Sequence, residues 1–122
     1  MLRIGDFKEI SRVFTNADVH LYKKLVGGDF YEGEVPELLI NSLFSTLLGL
    51  ELPGRGTNYL KQETEHTAMA EIGDKLTARV EITRIREDKK IIDLSTTCWS
   101  DKGELIATGR ALVSARDVKD AF

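Results

Sequence analysis

The stretch Pro36-Glu37-Leu38-Leu39-Ile40-Asn41-Ser42-Leu43-Phe44-Ser45-Thr46-Leu47-Leu48-Gly49 decides how the rest of the chain must fold. It reads as a helix. Proline at the first helical position loses only an amide that has no intrahelical partner there, Glu37 suits the positive end of the dipole, and Gly49 stands where a helix stops. The apolar residues Leu38, Leu39, Ile40, Leu43, Phe44, Leu47 and Leu48 cover most of the circumference, and the polar ones past the first turn are small. Such a helix is expected to be buried nearly all round. It is too short to cross a membrane, so other parts of the chain must wrap it.

The residues beyond the helix supply the wrapping. Leu52-Pro53-Gly54-Arg55-Gly56 is a turn-rich connector. Thr57 to His66 carries a mixed alternation, and Ile72-Gly73-Asp74 is a turn. Leu76, Ala78, Val80 and Ile82 alternate strictly with Thr77, Arg79, Glu81 and Thr83, the pattern of a half-buried strand. Glu87-Asp88-Lys89 reads as a hairpin turn, Lys90 to Trp99 as a β-branched strand, Asp101-Lys102-Gly103 as a second turn and Glu104 to Ser114 as a last strand. Upstream, residues 2 to 14 read as an edge strand. Thr15 and Asp18 form a capping box for a helix running to Val26, which Gly27-Gly28 ends. The tail from Arg116 is polar and is expected to fray.

With 122 residues, 42% hydrophobic and 30% charged, the chain reads as one α+β domain spanning residues 1–122. A formal net charge of -3 without a basic face argues against nucleic acid binding. One cysteine excludes an internal disulfide, and no Cys/His cluster points to zinc. The first residues lack the apolar run of a signal peptide, so a cytoplasmic location with no membrane association is expected. The long strands in hairpin order form an antiparallel meander that curves around the central helix, the hotdog arrangement. Its open edges and outer face lead to an expected homodimer.

Several stretches carry a resemblance: Gly5-Asp6, Phe14-Thr15 with Asp18-Val19, Gly28-Asp29, Ser42-Leu43-Phe44-Ser45 with Leu48-Gly49, Leu52-Pro53-Gly54-Arg55-Gly56, Tyr59-Leu60 with Gln62, Gly73-Asp74, and Gly109 with Ala111. In this order and spacing, apart from one gap, they resemble the MaoC-like hotdog family, especially its short (R)-specific enoyl-CoA hydratases. The resemblance implies addition of water to the 2,3 double bond of an acyl thioester, with the CoA or acyl-carrier-protein thioester as partner. It implies no cofactor beyond the coenzyme A of the substrate. In that family an Asp and a His within Asp-x-Asn-Pro-x-His activate water, and a His-Gly amide at the central helix start polarises the thioester carbonyl. The chemistry requires a base for water, a proton for the α-carbon and donors for the enolate oxygen.

At that motif this chain departs. Asp29 matches the aspartate, but Phe30-Tyr31-Glu32-Gly33-Glu34 comes next, without Asn-Pro or histidine. Only six residues separate Asp29 from Pro36, so the family's longer segment is missing. Glu34 falls in the histidine register, and Pro36-Glu37 replaces His-Gly. The candidate catalytic residues are therefore Asp29, Glu34 and Glu37, and the candidate substrate contacts are Tyr31, which either donates a hydrogen bond in a cleft or simply packs, the Leu38 amide, Gly56 and Tyr59. For each carboxylate there is a plainer alternative: amide capping for Asp29, a solvated loop side chain for Glu34, helix-start preference for Glu37. Hotdog thioesterases, which use a carboxylate on the central helix, make Glu37 the base or nucleophile of a second reading. A non-catalytic thioester-binding homologue or partner subunit is a third. His20 and His66 are read as surface or packing residues, Cys98 as core, and Arg55, Lys61 and Arg86 as surface cations or phosphate contacts.

Overall fold

The structure, a computed structural model, describes residues 1–28 and 33–122. In chain order the elements are β1 (Phe7–Val13), α1 (Asn16–Val26), α2 (Glu37–Leu50), β2 (Asn58–His66), β3 (Lys75–Arg86), β4 (Ile91–Ser100) and β5 (Leu105–Ser114). The five strands form one antiparallel sheet in the order β1-β3-β4-β5-β2. The expected meander is β3-β4-β5, and the two earlier strands close onto its sides as edges.

Strand alternation places the core. Leu76, Ala78, Val80 and Ile82 of β3 are fully buried, as are Ile92, Leu94 and Cys98 of β4. Against this face α2 lays Ile40, Leu43, Phe44, Leu47 and Leu48, all buried. The Thr15–Asp18 capping box forms as expected, with reciprocal side-chain-to-amide bonds of 3.2 and 2.9 Å. Gly27 ends α1 in the left-handed conformation at φ 70°, where a side chain would be strained.

Four local expectations are revised. Pro36 is the residue before the helix rather than its first member, held extended at ψ 140°. The helix does not stop at Gly49. It runs to Leu50 and closes with the Glu51 amide on the Leu47 carbonyl at 2.9 Å, just ahead of Leu52-Pro53. Pro53 supplies the stop, because the residue before a proline is pushed out of helical space. Nor is α2 buried all round. Glu37, Leu38, Ser42, Ser45 and Leu50 are exposed, so its small polar residues line one open flank beside β2. Lastly, the tail from Arg116 does not fray. Ala121 is buried, its carbonyl accepts from the Leu2 amide at 3.0 Å, and the Lys90 ammonium sits 4.5 Å from the Phe122 ring centroid.

Candidate active site

The segment entering α2 is anchored by backbone hydrogen bonds. Val35 N–H donates to the Ala70 carbonyl at 2.8 Å, and Ile72 N–H donates to Gly33 at 2.7 Å, with a bridge pairing Glu34 and Glu71. This short ladder turns the chain through buried Val35 and Pro36 into the helix. Beside it lies a cavity of about 440 Å³, walled by Tyr22 of α1, Glu34, Pro36, Glu37, Leu38 and Met69. The Pro36 carbonyl accepts from Leu39 and Ile40 at 3.0 and 3.4 Å. The amides of Glu37 and Leu38 precede the first intrahelical bond, and Pro36 gives them no side-chain cap. They form the positive end of α2 at the cavity wall.

Three of the sequence-predicted residues therefore meet: Glu34, Glu37 and Leu38. Asp29 and Tyr31 lie outside the described residues. Gly56 is not on the cavity wall. It packs under the C-terminal tail at φ +100°, where a Cβ would stand 2.4 Å from the Asp117 carbonyl oxygen. Tyr59 is not on that wall either: its hydroxyl pairs with Ser45, and burial raises its pKa against the lowering effect of that hydrogen bond. Ser45 lies two turns along α2 from Glu37, about 12 Å at the helical rise.

A residue read as surface or packing lies beside the site. His66, the last residue of β2, is largely buried, and its Nε2 is 3.9 Å from Glu37 Oε2. It ends a seam along the open flank of α2 in which Tyr59 meets Ser45, Gln62 meets Asn41 at 3.5 Å, and His66 meets Glu37. Glu37, Asn41 and Ser45 are four residues apart and share one helix face. The four-residue spacing from Gln62 to His66, pointing them to one side of a strand, was the signal in the sequence. His20 stands apart, in a polar groove with Asn16 and Lys23 on α1. Cys98 is buried in the core as expected, and burial pushes its thiol up to about 11. Arg55, Lys61 and Arg86 are not on the cavity wall, and Lys61 pairs with Glu63 at 2.9 Å. Among the described residues no cluster of His, Cys, Asp or Glu is arranged to hold a metal, and no helix is long and apolar enough to cross a membrane.

The arrangement offers two carboxylates for proton transfer and backbone donors for a developing oxyanion, on an otherwise apolar cavity. Sheet, central helix and cavity together define a hotdog-fold protein. No family model matches the chain. A solved (R)-hydratase from Aeromonas caviae, described as involved in PHA biosynthesis, superposes with a TM-score of 0.87 at 35% identity, covering 93% of this chain and 96% of that one. The (R)-specific enoyl-CoA hydratase of the same organism is 46% identical over 76 residues, an alignment that spans 62% of this chain and 57% of that enzyme. The (R)-specific enoyl-CoA hydratase of Rhodospirillum rubrum is 27% identical over 126 residues, 92% of this chain and 87% of its own length. The chain belongs to the MaoC-like hotdog family, among relatives of the (R)-specific enoyl-CoA hydratases.

Proposed function

We propose that this protein takes acyl thioesters into the cavity at the start of α2 and interconverts enoyl and 3-hydroxyacyl forms. The observation that carries the reading is the meeting of Glu34 and Glu37 with the Glu37 and Leu38 amides on one apolar cavity wall. The amides are assigned to receive the thioester carbonyl, whose oxygen gains charge as water adds to the β-carbon. Glu37 carries one of those amides and is assigned the proton transfer. Glu34 is assigned to hold the attacking water, in the role its sequence register suggests. Coenzyme A or a carrier protein enters only as part of the substrate, and the cavity works in a homodimer formed through the β2 edge.

The test is turnover of crotonyl-CoA followed in two ways, by loss of enoyl absorbance and by release of free thiol. Enoyl loss without thiol is expected, and Glu37→Gln should lower it by about 10²–10⁴-fold, the span of a positioned acid or base. Thiol release instead would support a thioesterase, a reading favoured by the exposed Glu37 carboxylate on the central helix. Silence in both assays, with stabilisation by butyryl-CoA in a melting experiment, would support a binding subunit. Silence with no stabilisation would remove the thioester reading.

A further inference from the structure

We propose that His66 is the positioning residue of this site, its Nε2–H holding the Glu37 carboxylate in the orientation from which Glu37 exchanges protons with the substrate. The inference rests on the reading that the cavity takes acyl thioesters. The two side chains differ in a way that suits the roles. Glu37 is 70% exposed and lines the cavity, whereas His66 is only 14% exposed and held at the end of β2, opposite Ala107 on β5. The rigid group is thus the ring and the adjustable one is the carboxylate.

The proton's place on the ring is set by burial. His66 Nδ1 is buried and has no hydrogen-bond partner among the described residues. A proton on Nδ1 would be a buried donor without an acceptor. A proton on Nε2 instead leaves only a lone pair inside and aims the N–H toward Glu37. The titratable side chains on the neighbouring cavity wall are Glu37, Glu34 and Tyr22, while the facing β5 residue is Ala107. At 3.9 Å the pair is at ion-pair range, longer than a hydrogen bond. In substrate-free sites such contacts are often long and tighten when substrate is bound.

The step balances with Glu37 alone as the proton carrier. An O–H bond of water breaks, the C–O bond forms at the β-carbon, and the proton passes to Glu37. The π pair moves through the enolate, whose oxygen meets the helix amides, to the α-carbon, which takes the same proton from Glu37. The carboxylate is restored, and His66 keeps its proton throughout.

The experiment compares His66→Phe, which keeps the ring volume and removes the donor, with His66→Gln, which keeps an N–H donor and does not titrate. Both are first shown to melt as cooperatively as the unaltered chain. With crotonyl-CoA, H66F should lower kcat by about tenfold or more with KM within about threefold, and H66Q should recover most of the loss. Equal activity in H66F and the unaltered chain would overturn the proposal, as would equal losses in both variants. The pairing also has a readout that needs no turnover. Imidazole nitrogen shifts at neutral pH should report the Nε2–H tautomer, and the Nε2 signal should move in Glu37→Gln. An Nδ1–H tautomer, or ring signals unmoved in E37Q, would overturn the pairing. A chain that neither hydrates crotonyl-CoA nor is stabilised by acyl-CoA instead overturns the thioester reading, and the nitrogen shifts still decide the pairing.

Discussion

Cys98 sits on the inner face of β4 with none of its surface exposed, and burial pushes its thiol up to about 11. Iodoacetamide at mildly alkaline pH should therefore leave the folded chain almost unlabelled and should label it rapidly in denaturant, because only the thiolate reacts. The folded value also lies above the unfolded one, so the native state is favoured while the thiol keeps its proton. Stability should then fall as pH rises from the ordinary thiol range toward about 11, and the loss should be smaller in Cys98→Ala, as read by urea midpoints. The core role of this residue is legible because it lies beside Trp99 in a β-branched strand, with nothing nearby in sequence to activate it. The role of His66 is not. Its spacing from Gln62 puts the two on one face of β2, but Thr64 and Glu65 are polar on both faces, so no alternation marks that face as the inward one. Glu37 is legible as a helix-start residue, but only the structure shows that it shares a wall with Glu34.

Among the elements, α1 and β3 are the most directly legible. Each is set by a local signal: the Thr15–Asp18 box for α1, a strict two-residue alternation for β3. The C-terminus of α2 is a different case. Glycine is the usual stop, but Gly49 lies within the helix and Pro53 governs its end. The β2–β5 pairing carries a constraint that no local pattern announces. At Gly109 an added Cβ would stand 1.9 Å from the carbonyl oxygen of Glu63, so the two backbones approach as only glycine permits. Gly109→Ala must push β2 away from β5, and a loss of roughly 3 kcal/mol is expected, as for an overpacked interior site. Urea unfolding would measure it. Hydrogen exchange should show β2 losing protection before β3 and β4, and unchanged protection across β2 would contradict the account.

For the whole molecule, the hairpin order foretells the β3-β4-β5 meander. The first strand is legible as an edge from its loose alternation, whereas the pairing of β2 with β5 at the other edge is not read from the sequence. The docked tail is illegible in the sequence, since it depends on Gly56 meeting Asp117 across half the chain's length. β2 is the edge to which the proposed dimer is assigned. Tyr59 and Leu60 are 42% and 52% exposed there, and Leu50 at the end of α2 is 55% exposed. An open strand edge with apolar side chains favours pairing with a second copy, which is the basis for the proposed dimer. Leu60→Lys should shift the species seen by light scattering from dimer to monomer at micromolar concentration. A monomer in the unaltered chain, or a dimer indifferent to this change, would exclude the β2 edge.

The seam of Tyr59–Ser45, Gln62–Asn41 and His66–Glu37 has a consequence for uniqueness. A helix that is greasy over most of its girth has several nearly equivalent ways to lie in a greasy trough, differing by a rotation about its own axis. Three polar contacts along one line act as a key in a keyway: they add little to adhesion, but they single out one angular setting. That setting is the one that turns Glu37 toward the cavity. In this molecule the face of the helix that carries Glu37 is therefore set by contacts as far along as Ser45, well beyond the turn that bears it, while the carboxylate itself stays adjustable.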